Sequence, residues 1–277
     1  MAVLVLVKGA GDLATGVAHR LHRSGFRVLL TELAQPTVVR RTVSFAEAVY
    51  EGRQDVEGVV CRLASSLDEA RAVLERGEIP VLIDPVAEVA LQLGPQVVVD
   101  AIMAKRNCGT RITNAPVVIG LGPGFTAGSD VHAVVETNRG HDLGRVILQG
   151  AAEPDTGIPA PISGLAAERL ISSPEDGVFA PGLEIGARVQ AGDVVGFVDG
   201  CPVSAPIAGV LRGLIRVGTC LYRGQKMGDV DPRCRVGYCY TISDKARAVG
   251  GGVLEAVLYF LRFEVRGSSF EDSPANR

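Results

Sequence analysis

The first 32 residues constrain this chain more than any later stretch. Val3–Val7 is a short, continuous apolar run, the composition of a strand buried on both faces. Gly9-Ala10-Gly11-Asp12-Leu13-Ala14 follows at once and leads into Leu13–Arg23, whose apolar spacing is that of an amphipathic helix. Arg27–Leu30 is a second β-branched run, and an acid, Glu32, stands just beyond it.

The spacing Gly9, Gly11, Ala14 is the G-x-G-x-x-A form of a dinucleotide-binding turn between a strand and a helix, so the opening unit reads as Rossmann-like. Gly9 permits the tight turn, Gly11 removes the side chain where a pyrophosphate would approach, and Ala14 lets the helix sit close to the sheet. Backbone N–H groups at the helix start favour an anion. Glu32 stands where a carboxylate accepts the ribose hydroxyls of NAD. Gly9, Ala10, Gly11, Asp12, Leu13, Ala14 and Glu32 are therefore the expected cofactor-binding set, with NAD or NADP as cofactor. A tight turn that binds nothing is the alternative. Asp12 adds negative charge beside the anion; Arg40 and Arg41 either offset it or line a solvated helix start.

The same alternation continues to residue 152. Further apolar runs at Val59–Cys61, Val81–Ile83, Val97–Val99, Val117–Ile119, His132–Glu136 and Arg145–Leu148 are separated by helical stretches at Ser66–Glu75 and Pro85–Leu93. Continuous apolar strands alternating with helices predict an α/β fold, a parallel sheet with helices on both faces. Ligands of such sheets bind beyond the carboxyl ends of the strands. Three loops fall there and form a predicted anion crevice: Lys105, Arg106 and Asn107; the glycine-rich loop with Gly122 and Gly124; and Arg139. Glu136 and His141 are the candidate acid/base pair, with an ordinary surface turn as the alternative reading of His141. No nucleophile elbow, P-loop or zinc-protease pattern occurs, which leaves open whether the chain is an enzyme.

Residues 153–176 are rich in proline and glycine and read as a surface linker. Residues 177–234 have an all-β texture and contain a duplication. Gly186, Val189, Gly192, Gly196, Val198 and Asp199 reappear 32 residues later as Gly218, Leu221, Gly224, Gly228, Val230 and Asp231. Such a repeat predicts two equivalent units packed on each other. Ser243 is a plausible cap for a helix within 240–265, expected to pack back on the first domain because its apolar face and Gly250–Gly252 need a partner. Residues 267–277 are polar and read as a disordered tail. Cys234 and Cys239, with Cys220 nearby, lack the second pair and the histidine of a zinc site, so no metal is expected.

Composition sets the outer limits. A net charge of −3, with acids and bases interspersed, and no tryptophan argue against a nucleic-acid partner. No stretch approaches the length of a membrane helix. The amino terminus reads as a buried strand and not as a signal peptide, so a cytoplasmic protein with reduced thiols is expected.

The duplicated region resembles biotinyl/lipoyl domains through Ala180-Pro181, Ala205-Pro206 and the repeated glycine pattern. Carriers of that family hold biotin or lipoate on a lysine at the hairpin between the halves. Here the hairpin is Val198-Asp199-Gly200-Cys201-Pro202-Val203, with no lysine, so no covalent biotin or lipoate is expected; Cys201 is a small turn residue or a thiol site. The whole chain resembles the YqeB-type selenium-dependent molybdenum hydroxylase system family. Lys8–Gly16, Thr31–Pro36, Met103–Asn107, Ile119–Gly128, Glu136–Gly144 and Thr241–Ala256 carry the resemblance. It implies an accessory protein in maturation of those enzymes, with a molybdenum hydroxylase client and a small phosphorylated ligand. Together with the opening turn it gives a nucleotide-binding accessory protein as the expected function and an NAD(P)-dependent oxidoreductase as the alternative. Oligomeric state is left open, a homo-oligomer included.

Overall fold

The computed structural model describes residues 3–157 and 161–266; the tail at 267–277 lies outside the described residues. The amino-terminal elements are β1 (Leu4–Lys8), α1 (Asp12–Arg23), β2 (Arg27–Glu32), α2 (Ala48–Glu51), β3 (Arg53–Val56), β4 (Val59–Ala64), α3 (Leu67–Glu75), β5 (Ile79–Ile83), α4 (Glu88–Leu91), β6 (Val97–Asp100) and β7 (Val117–Leu121). They continue as β8 (Thr126–Ala127), β9 (Ala133–Val135), β10 (Val146–Ile147) and β11 (Gly150–Ala151).

Nine of these strands form one sheet in the order β10-β9-β7-β6-β1-β2-β5-β4-β3. Its interior pairs are parallel, but β3 and β10 run antiparallel at the two edges. This corrects the expected fold class, a Rossmann-like parallel sheet with one small all-β domain. The large sheet is mixed, and the remaining strands form three antiparallel sheets of two, four and four strands. The edge at β3 arises because Glu57 and Gly58 both take left-handed φ, 49° and 80°. That two-residue turn folds β3 back on β4 as a hairpin.

Alternate residues of β1 enter two cores. Val5 and Val7 pack with Val17 and Leu21 of α1 on one face, and Leu4 and Leu6 pack with Ala70 and Leu74 of α3 on the other. The last helix, α5 (Asp244–Arg266), joins the first of these cores through Ala246, Val249 and Val253. It lies so close to α1 that a β-carbon on Gly16 would sit 2.7 Å from the Ala246 Cβ. Gly250 faces the Gly16 carbonyl oxygen in the same manner, its own β-carbon position 2.8 Å away. The glycine run thus permits backbone contact on a continuous helix.

The rest of the chain supplies β12 (Leu170–Ser172), β13 (Gly177–Ala180), β14 (Arg188–Val189), β15 (Val194–Val198), β16 (Cys201–Ser204), β17 (Gly209–Leu214), β18 (Cys220–Leu221) and β19 (Lys226–Asp231). They form two four-stranded sheets, β12-β19-β17-β14 and β16-β15-β13-β18. Every strand in one sheet has a counterpart at the 32-residue offset in the other. Each half therefore lends strands to both sheets, and the halves interlock. The counterpart of β16 is β12, which lies inside the stretch read from sequence as linker. This pair of sheets docks on the large one through Val38–Arg41. Leu214 N–H donates to the Val39 carbonyl at 2.9 Å, Arg41 Nε to the Leu214 carbonyl at 2.8 Å, and Arg216 to Glu47 at 2.9 Å.

Candidate functional site

The opening turn is closed on itself. Gly9 takes φ +92° and donates its N–H to the Thr31 carbonyl at 2.8 Å. Ala10 N–H donates to Glu32 Oε2 and Leu33 N–H to Glu32 Oε1, both at 2.8 Å, and Leu13 N–H donates to Asp12 Oδ1 at 3.0 Å. The carboxylate expected to hold a ribose thus accepts backbone hydrogen bonds from the turn itself. Burial pushes the Glu32 carboxyl up, against the pull of those two N–H groups. An incoming pyrophosphate would have to compete with two carboxylates for the donors it needs. Ala14 is buried against the sheet and does not reach the ligand side.

The loops beyond the neighbouring strands are held as firmly. In the segment after β6, Met103 and Lys105 both have φ of 61°, each a strained conformation costing on the order of 1–3 kcal/mol. Asn107 secures this loop, its Oδ1 accepting from Gly109 and Thr110 N–H and its Nδ2 donating to the Thr110 carbonyl. Beneath it the only lysine of β1, Lys8, is buried and donates to Thr110 Oγ1 at 2.6 Å, with Asp100 at 3.5 Å. Gly124 presses against the Arg106 backbone and Gly122 against Thr137, so both glycines are packing contacts. Glu136 is buried and accepts three N–H groups, from Thr137, Asn138 and Glu153, at 2.7–2.8 Å. With its oxygens so engaged it ties two loops together, while His141 is exposed and outside the cavity described next.

That cavity, of about 530 Å³, lies between these loops, the β12–β19 sheet and the start of α5. A smaller lobe of about 200 Å³ opens beside it and shares Asp12, Arg40, Arg169, Arg212 and Lys226. Cations dominate the lining: Arg40, Lys105, Arg139, Arg169, Arg212, Lys226 and Lys245, against Asp12, Glu153 and Asp155. Most are compensated. Arg139 forms a two-pronged pair with Asp244 at 2.5 and 2.8 Å, which holds that carboxyl well below its usual range. Lys105 pairs with Asp155 at 2.7 Å. Arg169 and Arg212 both meet Asp229 Oδ2 at 2.9 Å, and Arg212 also reaches Asp231 at 3.3 Å. Arg40 is buried, donates to the Tyr238 carbonyl at 2.8 Å and lies 3.9 Å from Asp12.

Lys226 and Lys245 differ from the rest. Among the described residues neither has a carboxylate at ion-pairing distance. Lys226 keeps an exposed side chain in the concave wall and Lys245 is half-buried; desolvation by the surrounding atoms is the first cause that pushes both amines below the ordinary lysine value. Asp12 and Asp229 favour the charge on Lys226 while Arg169 and Arg212 oppose it. Asp12 and Glu136 favour that on Lys245 while Arg139 and Lys226 oppose it. An excess of cation in a partly desolvated cavity is relieved by an anion.

The crevice read from sequence contributes Lys105 and Arg139 to this lining; the opening turn contributes Asp12 and Leu13, and Gly11 to the smaller lobe. Gly9, Ala10, Ala14, Glu32, Arg106, Asn107, Gly122 and Gly124 stand outside it as turn and packing residues. Arg169, Arg212, Lys226 and Lys245 were not anticipated. Two signals in the sequence point to them. The chain has 24 arginines but four lysines, and three of the four, Lys105, Lys226 and Lys245, line this cavity. The two halves of the duplication also differ in charge here: Ala180, Val194 and Phe197 in one correspond to Arg212, Lys226 and Asp229 in the other. The cysteines contribute nothing comparable. Among the described residues no group of three His, Cys, Asp or Glu side chains is placed to hold a metal ion.

No protein-family model matches the chain. It is 48% identical over 265 residues to the uncharacterized protein YqeB of Escherichia coli K12, which spans 96% of this chain and 49% of that protein. The chain thus spans about half the length of the curated relative it matches. Among solved structures it is similar to the ectoine utilization protein EutE (DoeB) of Ruegeria pomeroyi, at 13% identity and a TM-score of 0.26 over 83% of this chain and 85% of that one. It is also similar to an aspartoacylase family protein of Mesorhizobium loti, at 15% identity and a TM-score of 0.28 over 85% and 87%. A succinylglutamate desuccinylase of Silicibacter stands at 14% and 0.26 over 83% and 84%. At such TM-scores the likeness carries neither fold nor activity to this chain. The expected function, a nucleotide-binding accessory protein or an NAD(P)-dependent oxidoreductase, is corrected at the opening turn. The physical reason is the self-closed turn, whose Ala10 N–H and Glu32 carboxylate bind each other. No helix among the described residues is long and apolar enough to cross a membrane.

Proposed function

We propose that the chain binds a small, multiply charged anion in the cavity between the β6, β7 and β9 loops and the β12–β19 sheet. One observation carries this reading: Lys226 and Lys245 line the cavity without an ion-pair partner among the described residues, beside five further cations. The arginines already paired to Asp229 and Asp244 give the walls a fixed shape, and the two lysines supply the uncompensated charge. Anionic groups of one ligand meeting the two lysines convert disfavoured cations into charge-assisted hydrogen bonds, each worth about 1.5–3 kcal/mol.

Calorimetric titration with inorganic pyrophosphate and with citrate tests the proposal and separates phosphate from carboxylate preference. One of the two is expected to bind at a single site, and Lys226→Met and Lys245→Met each to weaken it by about 10- to 100-fold, the equivalent of those hydrogen bonds. Equal affinity in the parent and both variants would overturn the assignment.

A further inference from the structure

Resting on that anion-binding reading, we propose that Lys245 is a reactive amine, and that the ligand is an anionic aldehyde or ketone with which it forms an imine. The chain's use of basic residues points this way. With 24 arginines and four lysines, arginine carries most of its positive charge, yet lysines stand in this cavity. Arginine cannot be deprotonated at physiological pH; lysine can, and so becomes a nucleophile.

The cavity's shape divides the labour. Lys226 borders both lobes; with Arg40, Arg169 and Arg212 it lines the smaller one against Asp12 and Asp229, so cations outnumber acids there and that lobe is the seat of the anionic group. Lys245 borders only the larger lobe, where the rest of the ligand must lie. It is half-buried, in the first turn of α5, with Arg139 and Lys226 as cationic neighbours. Burial, then Arg139 and Lys226, favour the neutral amine, while Asp12 and Glu136 favour the charged one; the balance falls below an ordinary lysine.

In the reaction Lys245 first loses a proton, and its nitrogen bonds to the carbonyl carbon. The resulting carbinolamine loses its oxygen as water, leaving a C=N bond to Lys245. The first proton passes to water, and water returns one to the departing oxygen.

Reductive trapping reads the outcome directly. The full chain is incubated with pyruvate or 2-oxoglutarate and sodium cyanoborohydride, then analysed by intact mass and peptide mapping. One reduced adduct is expected, on the peptide bearing Lys245, forming at least tenfold faster than on exposed Lys105. Lys245→Arg is expected to abolish it, and in the parent excess pyrophosphate or citrate is expected to slow adduct formation by occupying the seat of the anionic group. Labelling spread over the lysines by exposure, or no adduct with either probe, would overturn the imine. Calorimetric binding of pyrophosphate or citrate to the parent without an adduct would leave the binding reading standing; neither binding nor adduct in the parent would remove both.

Discussion

Three consecutive glycines in α5 should respond to alanine in opposite directions. Helix propensity alone favours alanine over glycine by about 0.8–1.0 kcal/mol at an interior position, so Gly250→Ala, Gly251→Ala and Gly252→Ala would all stabilise by the same amount. Packing distinguishes them. A β-carbon at Gly251 meets nothing within 4 Å, whereas one at Gly250 lies 2.8 Å from the Gly16 carbonyl oxygen. One at Gly252 overlaps the Gly144 carbonyl oxygen and lies 2.9 Å from Val135 Cγ1. Backbone atoms cannot rotate aside, so the helix must lift. Overpacking of this kind costs about 1–3 kcal/mol. Subtracting the propensity gain leaves Gly252→Ala destabilised by about 1–2 kcal/mol and Gly250→Ala by somewhat less. Gly251→Ala should gain most of the propensity term. For a chain of this size about 2–4 °C accompanies each kcal/mol. Thermal unfolding followed by circular dichroism should therefore show Gly251→Ala melting above the parent and Gly252→Ala below it. A common sign for all three would refute the docking of α5 on α1 and on the Gly144 turn.

Three further outcomes follow from the same contacts. Glu136→Ala removes the buried acceptor of three N–H groups, one of them fully buried, and should destabilise by about 2–3 kcal/mol in urea unfolding, while His141→Ala should leave stability and anion binding unchanged. Asp229→Ala leaves two guanidinium groups without their shared carboxylate and should cost about 3–5 kcal/mol by the same assay, with Asp229→Asn intermediate. Anion affinity should fall as pH rises. The free amines of Lys226 and Lys245 lie below the ordinary lysine value, and an anion favours their protonated forms. Binding then takes up protons, and it weakens as pH climbs through the amines' depressed range toward 10.5, which titration in buffers of different ionisation enthalpy would detect.

The apolar runs were legible because strands buried on both faces need them: β1, β2, β4, β5, β6, β7 and β9 lie where Val- and Leu-rich segments stand. The polar edge strand β3 was not, since Arg53-Gln54-Asp55 offers no apolar face and only the Glu57-Gly58 turn makes it a strand. The helix expected at Pro85–Leu93 contracts to Glu88–Leu91 because Ala87 takes φ +63°. For the site, loop chemistry at the strand ends located Lys105, Arg139 and Asp12. The opening turn misled because its motif describes a backbone shape, and Glu32 fills that shape from within. Arg169, Arg212 and Lys226 meet because β12, β19 and β17 are neighbours in one sheet, and Lys245 faces them only once that sheet docks at Val38–Arg41.

With four lysines in the chain, each amine can be observed separately. Nuclear magnetic resonance of protein labelled with [ε-13C]lysine, titrated with pH before and after addition of pyrophosphate or citrate, tests the central claim most directly. The account expects the Lys226 and Lys245 signals to titrate below the ordinary lysine range in the free protein and to move to higher pH when the anion is present. The Lys8 signal should be indifferent to it. Lysine titrations that the anion leaves unmoved, or moves equally at all four positions, would contradict the account.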